Sequence, residues 1–196
     1  MTNSMNNVEF VKNLVQAEIT PLGVETVDRY QVAFVVAPGD VHHLLLKLRN
    51  AGWIQLSYLS AVDWLEENKF EVVYIVFNWD LPVYIQVRAK IDRDHPVIDS
   101  VLPIYPGAKY YERECHEFFG VCFPGNPDYE KQLILEGWDD IPPLRKDFDP
   151  QAYSDRKFPQ RVYTADFSVT DEQNTKLTKR QLRKQRAASL RGGVQK

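Results

Sequence analysis

Apolar residues recur at Val8, Val11, Leu14, Val15 and Ile19, three or four apart, which predicts an amphipathic helix over 8–18. Pro21-Leu22-Gly23 ends it. Residues 24–27 and 30–36 read as two short strands around an Asp28-Arg29 turn. Pro38-Gly39-Asp40 makes the next break and places Asp40 to cap a second helix. That helix carries Val41, Leu44, Leu45 and Leu48 on one face and stops near Gly52. Residues 53–62 read as a strand. Val, Ile, Tyr and Phe crowd 70–77 and 83–91, which pair as a hairpin around 78–82. The first 95 or so residues therefore predict an α+β fold: a small, mostly antiparallel sheet with helices packed on one face.

The pattern changes near residue 96. Of the 12 prolines, 3 precede His95 and 9 follow it. One more helix is expected over 107–119. Beyond Gly120 the prolines oppose long regular structure, so an extended arm is expected there. An aromatic-rich arm of this kind needs something to lie against. The tail from Thr170 has helical spacing at Leu177, Leu182 and Leu190 but little apolar content, and is expected to be marginal alone. Three regions result: an α+β domain over 1–120, an interface arm over 121–169 and a tail over 170–196.

Charge sharpens that division. Eight of the 24 Lys and Arg residues lie in 171–196, against two of the 27 Asp and Glu. The remainder carries 16 basic and 25 acidic residues. A basic tail on an acidic body suggests an anionic partner: an acidic protein face, a lipid surface or RNA. No apolar run reaches the length of a membrane span, about 18 residues. The N-terminus lacks the basic start and apolar stretch of a secretory signal. Cys115 and Cys122 are the two cysteines. Two thiols alone hold neither zinc nor an iron–sulfur cluster, and buried hydrophobe is their common role. A reduced, cytoplasmic protein is expected.

The chemistry-bearing candidates are few. There is no phosphate loop and no GxGxxG. His116-Glu117 resembles the start of a zinc-protease motif, but Gly120 stands where the second histidine belongs. His42 and His43 are adjacent on a helix and point about 100° apart, which makes them poor joint ligands. His95 precedes Pro96 in a turn. Glu112, Arg113, Glu114 and Glu117 crowd one helix, where Arg113 and Glu117 are spaced to pair. Such carboxylates can form a solvated face or do acid–base work. In Arg145-Lys146-Asp147, after two prolines, side chains should alternate sides. Interface, solvated loop and catalysis all stay open for that triplet.

Tyr110 to Pro150 holds both cysteines and charges of both signs among aromatics. Within it, ERECHEFFG resembles the ERExxDxxGI element of the thirty-kilodalton-type subunit of respiratory complex I, the C subunit in bacteria. FPGNPDYEKQLIL resembles that family's FxGHPDLRRIL, and GWDDIPPLRKDF its W-x-GHPLRKDF. Glu117 stands where the family usually has aspartate. Asn126 replaces the histidine of the first GHP, and Ile141-Pro142-Pro143 replaces the second. The resemblance covers roughly residues 8–159.

The resemblance implies a non-catalytic assembly subunit in the peripheral arm of a proton-translocating NAD(P)H (or other donor):quinone oxidoreductase, a subunit that binds no flavin, no iron–sulfur cluster and no metal. Glu112, Arg113, Glu114, Glu117, Gly120, Gly125, Pro127, Leu144, Arg145, Lys146 and Asp147 carry the family signature and are assigned to fold and interface. Iron–sulfur clusters, quinone and the electron-donor cofactor would sit on other subunits. The implied partners are the large hydrogenase-like (D-type) quinone-site subunit and cluster-bearing neighbours. The membrane is met through the complex, on its cytoplasmic face, and no nucleic acid partner is expected. The altered positions suggest a divergent branch: an archaeal quinone- or methanophenazine-linked complex fed by reduced deazaflavin or ferredoxin, or a related membrane-bound hydrogenase. A complete LRKDF favours the dehydrogenase side. The rivals are a free-standing enzyme using Glu112, Glu114 and Glu117, and an RNA-associated protein using the basic tail.

Overall fold

The structure, a computed structural model, describes residues 3–158. Helix α1 (Asn3–Glu18) begins earlier than its apolar pattern and buries Val8, Val11 and Val15. Strands β1 (Gly23–Asp28) and β2 (Gln31–Val36) form the first hairpin. Helix α2 (Val41–Asn50) buries Val41, Leu44, Leu45 and Leu48. Asp40 does not cap it with its side chain: Pro38–Asp40 is itself a single 3-10 turn that runs straight into the helix. Then come β3 (Gln55–Trp64), β4 (Lys69–Phe77) and β5 (Tyr84–Asp92).

The strand order is β1-β2-β5-β4-β3. Three of the four pairings are antiparallel, while β2 and β5 run parallel at the centre. Alternation sets the two faces. Val32, Phe34 and Val36 of β2, Phe70, Val72, Tyr74 and Val76 of β4, and Ile85, Val87, Ala89 and Ile91 of β5 point into one core. The buried sides of α1, α2 and α3 (Ala108–Phe119) enter the same core, so the expected α+β layering holds. Phe119 of α3 meets Phe70 edge-on at 6.2 Å.

The boundary expected at residue 120 is not where the chain divides. The compact unit that holds the sheet runs on to Ser154, and of the chain beyond it only residues 155–158 are described. Val121 and Phe123 are fully buried, and Ile98 N–H and Cys122 N–H bond across to Cys122 and Pro96 carbonyls at 3.1 and 2.7 Å. The start of the expected arm is therefore core. A short helix, α4 (Pro150–Lys157), also lies in that region. Asp149 Oδ1 accepts from Gln151 and Ala152 N–H at 2.9 and 3.0 Å, and Pro150 opens the helix, a common N-terminal arrangement. The rest of the arm, 159–169, and the basic tail lie outside the described residues.

Candidate functional site

Helix α3 presents the three carboxylates singled out in the sequence, Glu112, Glu114 and Glu117, and each has a different fate. Glu112 is fully buried. Its Oε1 accepts Val101 N–H at 2.8 Å; its Oε2 accepts Ser100 Oγ–H at 2.8 Å and Asn126 Nδ2 at 2.9 Å. Burial raises its pKa above the usual carboxylate range, against the pull of these three donors. Glu117 faces elsewhere: five residues on along a helix is a turn of about 140°. Its carboxylate sits in a nest of backbone donors, the N–H groups of Leu133, Ile134 and Leu135, each at 2.9 Å. Glu114 is exposed. The fold does not gather the three into one acid–base site.

Arg113 does not pair with Glu117, contrary to its spacing. Its Nε and Nη2 donate to the carbonyls of Lys131 and Gln132 at 3.1 and 2.6 Å. Residues 113 and 117 thus hold adjacent parts of one loop, the cation taking its carbonyls and the anion its N–H groups. Backbone groups of an exposed loop have many competing water partners, and charged acceptors and donors hold them better than neutral ones.

The two signature glycines have conformational reasons. Gly120 ends α3 with φ +84°, a left-handed closure, and its N–H bonds His116 carbonyl at 2.8 Å. A Cβ there would stand 3.4 Å from Pro142 Cγ and 3.9 Å from an Arg145 Nη. Gly125 has φ +100° and would bring a Cβ 3.4 Å from Ser100 Cβ. Pro127 follows Asn126 in the same turn and is exposed. Asn126 is 2% exposed and ties Glu112 to the Lys109 carbonyl, while its Oδ1 accepts Asp128 N–H at 3.0 Å. Asn126 thus lies against the buried Glu112 carboxylate.

Leu144-Arg145-Lys146-Asp147 lies across the β3 end of the sheet. Two residues that sequence reasoning missed hold it there. Asp63, at an inward position of β3, accepts both Arg93 Nε at 2.9 Å and Arg93 Nη2 at 3.1 Å. Lys146 N–H donates to the same carboxylate at 2.8 Å. Arg93 Nη2 also donates to Asp147 Oδ1 at 2.7 Å, and Arg145 stands 3.6 Å from that oxygen. The guanidiniums of Arg93 and Arg145 lie 5.6 and 5.5 Å from the Phe70 ring centroid. Desolvation alone would raise the Asp63 pKa; the Arg93 pair and the Lys146 N–H outweigh it and hold the group below its usual value. Asp147 is lowered in the same way, Arg93 overcoming its desolvation. The signal for Asp63 was available: it continues the inward parity of Leu59 and Ala61, where a carboxylate needs a partner.

Cys115 is buried, and burial pushes its thiol up and keeps it protonated. Cys122 is half-buried, not bonded to Cys115, and likewise raised by burial. Among the described residues no three His, Cys, Asp or Glu side chains converge as a metal-binding group.

Fold and site together define an α+β subunit-type domain whose charged signature ties its own loops to its own sheet. Residues 34–154 match the family described as respiratory-chain NADH dehydrogenase, 30 Kd subunit, and the chain belongs to that family. The chain is 34% identical to the C subunit of NADH-quinone oxidoreductase from Phenylobacterium zucineum over 154 residues, 75% of this chain and 70% of that one. It is 34% identical to the C subunit of F(420)H(2) dehydrogenase from Methanosarcina mazei over 101 residues, 50% of this chain. The matched segment spans 64% of the Methanosarcina relative, short of two thirds of its length. Among solved structures, a chain of the membrane-bound sulfane sulfur reductase, an archaeal respiratory membrane complex, superposes with TM-score 0.71 at 29% identity. That likeness covers 84% of this chain and 99% of the other. The trypsin-resistant fragment of Nqo5 shares the fold, with TM-score 0.55 at 22% identity over 62% of this chain and 98% of the fragment.

Proposed function

We propose that this chain is a non-catalytic assembly subunit of a complex I-like, ion-translocating oxidoreductase, packed against the large quinone-site subunit and its cluster-bearing neighbours. Family membership supports the setting. The observation that carries the non-catalytic part is the engagement of the signature side chains. Glu112, Arg113, Glu117 and Asp147 bond groups of their own chain and stabilise one loop arrangement. A rigid, pre-shaped loop suits a part that holds larger subunits in register. Iron–sulfur clusters, quinone and the donor cofactor belong, in this reading, to those subunits. No described helix is long and apolar enough to cross a membrane. In the same reading the chain meets the membrane through its partners.

A second reading concerns the electron donor. Similarity to the Methanosarcina relative and to the archaeal sulfane sulfur reductase chain favours a donor other than NADH, such as a reduced deazaflavin or ferredoxin. Both readings meet one experiment. A tag on this chain is used to purify the complex from solubilised membranes, its subunits are identified, and donor-to-quinone activity is measured with each donor. The large subunit and cluster-bearing subunits should co-purify, with activity in the complex and none in the isolated chain. Turnover by the isolated chain would overturn the non-catalytic assignment.

A further inference from the structure

In the Leu144–Asp147 segment the side chains of Arg145 and Asp147 engage the sheet, while those of Leu144 and Lys146 are exposed. Arg145 and Asp147 turn towards Arg93 and Phe70. Leu144 is 54% exposed, and Lys146 is exposed with its ammonium 5.7 Å from the Trp64 ring centroid. Trp64 ends β3 on the sheet face opposite Asp63, which neighbours it in the strand and points into the core. Its indole N–H donates to Glu71 at 3.2 Å, and the Lys90 ammonium lies 5.2 Å from the ring. The ring is held in place yet remains 39% exposed.

The two lysines beside it differ. Lys90 pairs with Glu67 at 2.5 Å. Lys146 forms no ion pair among the described residues; its backbone N–H is fixed to Asp63, which aims the side chain outward. An immobilised aromatic beside an uncompensated cation, with an exposed leucine two residues along the chain from that cation, has the composition of an interface centre. A carboxylate is the group that satisfies an ammonium there. Glu71 holds the indole and Glu67 pairs with the lysine over the ring, and these two carboxylates repel a broad anionic surface such as a lipid bilayer more than a single side chain that reaches Lys146.

We propose that Trp64, Leu144 and Lys146 form the docking surface for an acidic segment of a partner subunit, which places a carboxylate on Lys146 and an apolar side chain against Trp64. The inference rests on the reading of the chain as an assembly subunit and names the surface and chemistry of that contact.

The test uses the full-length chain in its complex. Lys146→Glu should lower the co-purified large subunit by about tenfold or more, because reversal sets two like charges together. Lys146→Arg should assemble as the unchanged chain does. The isolated Lys146→Glu chain should melt within a few degrees of the unchanged chain, since its side chain makes no internal ion pair and gives up only an exposed cation–π contact, about 0.5–1 kcal/mol. Benzoylphenylalanine placed at position 64 should cross-link, in the complex, to a partner peptide bearing Asp or Glu. Normal assembly of the Lys146→Glu chain, or cross-links from position 64 only to lipid, overturns the proposal. Sedimentation with phosphatidylglycerol vesicles that is lost in Lys146→Glu would also overturn it, by assigning the surface to the membrane. Absence of a complex around the unchanged chain would instead overturn the assembly reading itself.

Discussion

The sheet-and-helix body and the segment over 124–149 are held together by different physics. In the body, residues such as Leu44, Leu45, Phe34 and Val87 are fully buried and contribute through non-directional removal of apolar surface from water. The segment is mostly exposed or half-buried. A few directional contacts fix it: the Glu117 nest, the Arg113 pair of carbonyl bonds, and the Asp63–Arg93–Asp147 cluster. Trp138, Phe148 and Tyr153 add a small aromatic group, with Trp138 and Tyr153 stacked at 4.4 Å. The difference teaches that charge in this segment replaces apolar area where a loop has too little of it to be fixed by burial.

The sharpest break of the comparison is Arg93→Met. It leaves Asp63 buried without its cation, which costs about 3–5 kcal/mol. That equals the truncation of a core leucine such as Leu45→Ala, at about 2–5 kcal/mol. Thermal and urea unfolding of the two variants should give losses of the same size. A loss below about 1 kcal/mol for Arg93→Met would mean that the segment is held by other contacts. Proton linkage gives a companion measurement. Asp63 and Asp147 are both held below the usual aspartate value. Their stabilisation is complete above that value of about 3.9 and is lost as pH falls through their own lower values. The unchanged chain should therefore lose stability steeply below about pH 4, and Arg93→Met less steeply.

Glu117→Gln sharpens the comparison from the loop side. A neutral acceptor replaces a charged one in a nest of three N–H groups, a local loss of about 1–3 kcal/mol. Protease cleavage within 128–142 should accelerate while the melting of the sheet changes little. Equal effects on both would show that loop and body unfold as one unit. The smallest effect is expected for Tyr74→Phe. The Tyr74 hydroxyl is buried without a hydrogen-bond partner in this structure. Its removal should leave stability unchanged or slightly raised, by roughly 0.5 kcal/mol or less. A large loss on denaturant titration would reveal a partner for that hydroxyl.

Much of the body was legible in the sequence because periodicity reports burial. The helices over 8–18 and 107–119 and the hairpin of 70–77 with 83–91 follow from spacing alone, within a few residues at each end. The parallel pairing of β2 with β5 was not legible, since alternation states which side faces the core and not which strand lies alongside. Asp149-Pro150 was a readable helix start that the density of prolines obscured. Among the site residues, Gly120 and Gly125 show their reason in φ. Arg113 and Glu117 matched a pairing rule that the loop overrode, because backbone partners 16 to 19 residues away were better placed. Arg93 was invisible: its partner Asp147 lies 54 residues on, and a single arginine after a strand carries no spacing signal.

The contact between Asp63 and Lys146 joins positions 83 residues apart. With Arg93 and Asp147 it closes a large loop of chain, the topological task that small proteins often give to a disulfide. The two thiols of this chain are not placed for that task. The tie it uses instead is indifferent to reducing agents and responsive to protons. The segment bearing Leu144 and Lys146 can therefore be released by acid and restored by neutralisation without making or breaking a covalent bond.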